Sequence, residues 1–257
     1  MSELQSFITQ GVFAFILTFV RVGTALMIMP GLGDSLVPQQ VRLYMALGFA
    51  LVLFPVTSAY MPTPVPSSFL LFLLIGFEFV TGVFIGTIAR ILTSALDIAG
   101  MIISMMLGLG NAQLFNPLMA SQGSLIGAFL SISGVTLLFV TNMHHLLLMG
   151  LFESYEAFPV GQLPEAQSMG EMIAKVVSSA FRIGIQMSIP LIVIGTVMYI
   201  GMGVLARIMP QIQVFMLALP LQILLGLMTL GVTAAAAMMF WLQEFENGMV
   251  FFLRQSY

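Results

Sequence analysis

The chain has 257 residues, 60% of them hydrophobic and 7% charged, with a net charge of -3 and no cysteine. A soluble domain is nearer ~45–50% apolar and ~25% charged, so this composition excludes an ordinary soluble core and predicts several membrane spans. One Lys and six scattered Arg leave no nucleic-acid footprint, and the missing cysteines exclude a disulfide frame, a thiolate metal site and a Cys nucleophile.

The segment Met1 to Ser6 lacks the basic region of a cleaved signal peptide, so the apolar run Phe7–Met29 is expected to be retained as a span. A turn follows, Pro30-Gly31-Leu32-Gly33-Asp34 with Pro38, and then a second run, Val41–Tyr60. Met61 to Ser68 carries Pro62, Pro64 and Pro66 and predicts a stiff extended link. Phe69–Leu96, Ser124–Phe152, Ile173–Leu205 and Val214–Leu242 complete six runs that reach the ~20 residues a spanning helix needs. Ile98–Leu109 is shorter and predicts a buried or re-entrant helix. Glu153 to Glu171 holds Glu153, Glu156, Glu165 and Glu171 with no basic residue, and reads as the soluble loop. Arg21, Arg42, Arg90 and Arg207 fall near the ends of alternate connections, which the positive-inside rule places in the cytoplasm.

Within the third long run, Glu78, Gly82, Gly86 and Arg90 stand four residues apart, and at 100° per residue they drift across a stripe ~120° wide. Asp97 returns to the Arg90 face seven residues on. Gly82-x-x-x-Gly86 allows close approach of another helix, and Gly123 and Gly127 are further candidates for helix or subunit packing. Intramembrane charges are costly and often functional, so Glu78, Arg90 and Asp97 could line an ion or proton path. With no second carboxylate close by in sequence, pairing between helices or subunits is the better reading. Arg182, Gln186 and Pro190 form a similar stripe, in which Arg182 could pair with Glu78 or Asp97; Arg21 is a further buried-charge candidate.

Three enzyme-like signals fail on chemistry. Gly31-Leu32-Gly33-Asp34 matches the GxGD of intramembrane aspartyl proteases, but its possible partner, Asp97, follows it where those proteases have it first. Asp is also common in such turns simply because its side chain bonds nearby backbone. Adjacent His144 and His145 point ~100° apart on a helix and cannot share a metal as an i,i+4 pair would. No Walker-type phosphate loop is present. The chain is expected not to be an enzyme, and to need no cofactor or metal.

Two irregular segments remain. After Leu109 the helical pattern dissolves into Gly110, Asn111, Gln113, Asn116 and Pro117, with Leu114, Phe115, Leu118 and Met119 between. Irregular backbone at membrane depth survives where protein buries it or where it lines a cavity, and Met adapts to irregular gaps. A deformable seal and an ordinary connecting loop are both compatible with this pattern. Ala206 to Gln222 carries Arg207, Pro210, Gln211, Gln213, Phe215, Pro220 and Gln222 between two apolar runs. Each proline removes a backbone donor, so the whole stretch predicts a broken, protein-packed turn whose Gln side chains need partners in protein or water.

Three stretches together resemble the FliR family of flagellar type III export-gate proteins: Phe19-Val20-Arg21 with Pro30, Pro38 and Arg42; Glu78, Gly82, Gly86 and Gly100 running to Gly108-Leu109-Gly110 and Asn116-Pro117; and Arg207, Pro210 to Phe215 and Pro220 to Ile223. Many relatives have an acidic residue where this chain has Asn116. The resemblance implies an all-α polytopic membrane protein with broken or kinked helices. Residues 1–152 would form a FliP-like part, 153–171 the acidic loop and 172–257 a FliQ-like C-terminal hairpin. It implies assembly with FliP, FliQ, FlhB and FlhA in the bacterial inner membrane at the flagellar basal body, in contact with membrane lipid, and passage of unfolded flagellar proteins. The family's plug would fall on Leu107 to Gln122, with Gly108, Gly110, Asn111, Gln113, Leu114, Phe115, Asn116, Pro117 and Met119 as its residues. The homologous injectisome subunit is the alternative within the family, and a stand-alone secondary transporter the alternative outside it.

Overall fold

The computed structural model describes residues 2–34, 37–62, 67–109, 124–162, 165–210 and 214–254. Every element among them is helical. In chain order they are α1 (Ser2–Ile28), α2 (Gln39–Thr57) with a 3-10 turn (Ser58–Tyr60), α3 (Ser68–Met106), α4 (Leu125–Val140), α5 (His144–Ala157), α6 (Ala166–Ile208) and α7 (Val214–Arg254). Five are long and apolar enough to cross a membrane, six if the bent pair α4–α5 is one span. The chain is an all-α polytopic membrane protein.

Several boundaries differ from the expectation. Ile98–Leu109 is no separate helix, because α3 runs unbroken through it to Met106. No proline interrupts that stretch, and 39 residues at 1.5 Å make a helix about 58 Å long, nearly twice a hydrocarbon core. Ser124–Phe152 is broken at residues 141–143, where Asn142 takes a left-handed φ of 60°. The acidic stretch 153–171 is helical at both ends, since α5 reaches Ala157 and α6 starts at Ala166. The break after Ala206 is likewise short: α6 continues to Ile208 and Pro220 lies inside α7.

The chain forms two compact units. One comprises Met1–Leu92, Phe139–Val177 and Glu246–Tyr257, the other Thr93–Leu138 and Ser178–Phe245.

In the first unit α1 buries Phe13, Ala14, Leu17, Thr18, Arg21, Val22, Ala25 and Leu26, the three- and four-residue spacing of one helical face, and Met29 just past its end is buried too. Phe13, Ala14 and Leu17 join Met61, Leu74 and Tyr155 in an apolar cluster. The Thr18 and Thr57 hydroxyls, 2.8 Å apart, tie α1 to the end of α2. α3 crosses α1 at glycine: a Cβ on Gly86 would stand 2.8 Å from the Ala25 carbonyl oxygen, and one on Gly82 would collide with the Arg21 carbonyl and Thr24. Lipid tails offer no hydrophobic drive to bring helices together, so close backbone packing at small residues carries the association.

The second unit uses the same device. Gly100 of α3 meets the Gly127 backbone of α4, and Gly184 of α6 meets Ala95 and Ile98 of α3. Trp241 and Phe245 of α7 are fully buried, their rings 5.4 Å apart, with the indole filling the space left by Gly134.

Candidate functional site

In the first unit a single arginine organises three helices. Arg21 Nε donates to Glu78 Oε2 at 2.6 Å and its Nη2 to Oε1 at 2.9 Å. Nη1 donates to the Ser154 carbonyl at 3.0 Å, and Nη2 also to the Phe158 carbonyl at 2.9 Å. The guanidinium carbon stands 4.1 Å from the Tyr155 ring centroid. Both side chains of the ion pair are 1% exposed. A buried charge is tolerable only when opposed and fully hydrogen-bonded, and here every guanidinium nitrogen has an acceptor. Ser154 and Phe158 lie at the C-terminal end of α5, where a cation meets the negative end of the helix dipole; the Ser154 carbonyl, which already accepts the Phe158 N–H at 2.9 Å, takes Arg21 as a second donor.

The other charges sit differently. Arg90 pairs with Asp34, and its side chain is 52% exposed. Asp34 Oδ2 accepts the Gly31 N–H at 2.8 Å, so the GxGD aspartate closes its own turn. Arg182 pairs with Glu244 at 2.8 Å, with neither Glu78 nor Asp97, and is 55% exposed. Exposed Asp97 accepts from Ser131 at 2.5 Å. Of the five expected buried charges, only Arg21 and Glu78 are buried. The rest project from helix faces that their own chain leaves open, where ion pairs and hydroxyls meet their needs. The His144 and His145 rings, far from splaying, lie 4.2 Å apart at the start of α5, with Phe139 over His144.

In the second unit the polar groups gather where α3 ends. Gln222 of α7 is buried, and its Nε2 donates to the Met106 carbonyl at 2.6 Å and to the Tyr199 hydroxyl at 3.3 Å. Gln222 is therefore an internal contact and does not face a neighbouring subunit; carbonyls in the last turn of a helix need donors from outside the helix, and Gln222 supplies one. The next turn tightens, with Gly108 N–H bonded to the Met105 carbonyl at 3.1 Å and Gly108 at φ +75°. A side chain there would be strained, and a Cβ would press on Leu219 and Gln222. Small residues frame the same spot, Gly195 against Met106 and Gly226 against Leu107.

Ser124 begins the next described stretch. Its hydroxyl donates to the Gly100 carbonyl at 2.9 Å and accepts the Gly127 N–H at 3.0 Å. With that proton engaged, Ser104 is the donor in the 2.5 Å bond to Ser124. Gly110, Asn111, Gln113, Leu114, Phe115, Asn116, Pro117, Met119 and Gly123 lie outside the described residues, as do Gln211, Gln213 and the Phe215 side chain. Arg207, Pro210 and Pro220 are exposed.

The family model described as bacterial export proteins, family 1, matches residues 12–248. The chain belongs to that family. It is similar to the flagellar biosynthetic protein FliR of Caulobacter vibrioides, 34% identical over 92% of this chain and 94% of that protein. The FliR of Aquifex aeolicus is 35% identical over 84% of this chain and 83% of its own length. The Yop proteins translocation protein T of Yersinia pestis is 32% identical over 60% of each. Membership of the FliR family makes the chain a membrane subunit of a type III export apparatus, a structural component.

Sequence reasoning missed Glu244, Ser131, Ser124 and Tyr199. Arg182 and Glu244 are 62 residues apart, and no local spacing marks such a pair. Ser124 alone had a signal: a Ser just before an apolar helix and three residues ahead of Gly127 is an N-cap pattern.

Proposed function

We propose that this FliR-family subunit forms, with FliP- and FliQ-type subunits, the channel through which unfolded flagellar proteins cross the bacterial inner membrane. FlhB- and FlhA-type components would complete the flagellar basal-body apparatus. Residues 107–122 would supply the closed-state plug, with Phe115 and Met119 in contact with the passing chain. The FliP-like part (1–152) and the FliQ-like hairpin (172–257) are likenesses in sequence, independent of compactness.

The observation that carries this reading is the anchoring of the segment's two ends. Gln222 holds the Met106 carbonyl before it, Ser124 caps the helix after it, and the Ser104–Ser124 and Gly100–Gly127 contacts fix one end against the other. A segment that must yield to a substrate and return needs fixed ends. The exposed charges Arg90, Asp97 and Arg182 suit contacts with other subunits. Residues 111–119 should be deleted and small-ion leakage measured in cells that co-express the partner subunits. Leakage is expected to rise; if it stays at the wild-type level while the complex still assembles, the segment is not the seal.

The injectisome reading rests on the Yersinia relative. The FliR of Caulobacter vibrioides aligns over 92% of this chain against 60% for that protein, which favours the flagellar apparatus.

A further inference from the structure

Three helices of the second unit meet in one polar contact, and the plug reading uses only half of it. Gln222 of α7 gives one amide proton to the Met106 carbonyl at the end of α3, at 2.6 Å, and the other to the Tyr199 hydroxyl of α6, at 3.3 Å. A side-chain amide carries both of its donors on the nitrogen and none on the oxygen. A carbonyl can only accept, so the nitrogen must face Met106, and the amide works in one orientation alone. Turned over, it would set oxygen against oxygen.

Burial by itself does not fix that orientation. Gln222 is 4% exposed, but a hollow with room for about one water adjoins it, lined by Met106, Leu107, Leu191, Met198 and Gln222 itself. Two of those walls are methionines, which adapt to irregular gaps, so packing leaves the amide space in which to turn. The Tyr199 hydroxyl is the second point that holds it. The hold sits where the chain leaves the helix: Gly108 is at φ +75°, and a Cβ on it would stand 3.4 Å from Gln222 Oε1.

We propose that Tyr199 is a positioning residue for the plug: by taking the second amide proton of Gln222 it keeps the first on the Met106 carbonyl, and so holds the end of α3 in its closed position. The proposal rests on the plug reading above and adds a residue to it. Because Tyr199 stands on α6 and Gln222 on α7, the hold lasts only while those helices keep their register. A slip of one residue's rise, about 1.5 Å, is enough to part a contact already at 3.3 Å.

The test uses the complex of the full chain with its partner subunits, reconstituted in lipid vesicles, with small-ion leakage measured across a pH series. Tyr199→Phe keeps the partly exposed ring and loses only the hydroxyl; leakage should rise about five-fold, the weight of one neutral hydrogen bond. Gln222→Leu loses both bonds and should leak about thirty-fold more than the wild type. Gln222→Glu gives a signature that lost packing would not. From about pH 4 to about pH 8, a range that spans carboxyl titration, its leakage should climb from near the wild-type level to that of Gln222→Leu. A protonated carboxyl still donates to the Met106 carbonyl, whereas a carboxylate repels it. Wild-type leakage in Tyr199→Phe, or a flat pH profile in Gln222→Glu, overturns the proposal; Tyr199→Phe decides alone should Gln222→Glu not assemble. The variant lacking residues 111–119 separates the two claims. If it leaks and Tyr199→Phe does not, the plug stands and Tyr199 has no part in it; if it does not leak, both fall.

Discussion

The two units solve the same problem, a polar group deep among apolar helices, with opposite chemistry. Around Arg21 the first unit spends a full charge, a full countercharge, two carbonyls and an aromatic face, and leaves no guanidinium nitrogen unmet. At the end of α3 the second unit uses one neutral amide, Gln222, to satisfy a single carbonyl. The charged hub is costly to disturb from any side and suits a part that stays fixed. The amide clamp is weaker and neutral, so it can be released and remade without stranding a charge, as the proposed plug beside it would require.

Breaking the hub should have the largest effect. Glu78→Ala strands a buried guanidinium, a change that typically costs about 3–5 kcal/mol, and should show as loss of folded protein in size-exclusion profiles of the detergent-extracted chain. Arg21→Met/Glu78→Met together should recover much of that yield, since an apolar pair of similar volume is often tolerated. If the double variant is as poor as Glu78→Ala alone, the hub does more than balance charge. Overpacking comes next. Gly86→Val drives a side chain into the Ala25 carbonyl and Ile28, and should lower thermal stability by about 1–3 kcal/mol, where the same change at Gly48, which has open space around it, should do little.

The clamp should rank third. Gln222→Leu leaves the Met106 carbonyl without its donor, worth about 1–3 kcal/mol, and the damage should be local. Hydrogen exchange should quicken at the end of α3, around Ile103 to Gly108, while the Arg21 hub keeps its protection. Faster exchange in both regions would erase the contrast between them. The exposed Arg182–Glu244 pair should matter least, with a coupling of about 0.2–1 kcal/mol in a double-mutant cycle.

Much of the architecture was legible in the sequence because it depends on local pattern. Hydropathy and length marked the spans, and Gly82-x-x-x-Gly86 marked a close helix crossing. What failed had non-local causes. Phe69–Leu96 and Ile98–Leu109 read as separate apolar runs, yet α3 is continuous through both, and the Gly127 backbone lies against Gly100, an adjacency no window of sequence contains. Arg90, Asp97 and Arg182 sit among apolar residues along the chain but are exposed within it, because burial is decided by which face a neighbouring helix covers. Gln222 stands among polar residues that the resemblance points toward neighbouring subunits, but it is buried. The partner that draws it inward, Met106, lies 116 residues earlier.

The seryl and glycyl contacts between α3 and α4 have a consequence for how the family can change. With Ser104 bonded to Ser124 and Gly100 against Gly127, the entropy of bringing the two ends of the intervening stretch together is borne by the helices. Loop-closure cost rises only slowly with length, about 0.6 kcal/mol per doubling, so residues can be added, removed or exchanged between these anchors with little effect on whether the protein folds. If the proposed plug lies there, its sequence can change with little effect on the frame that holds it.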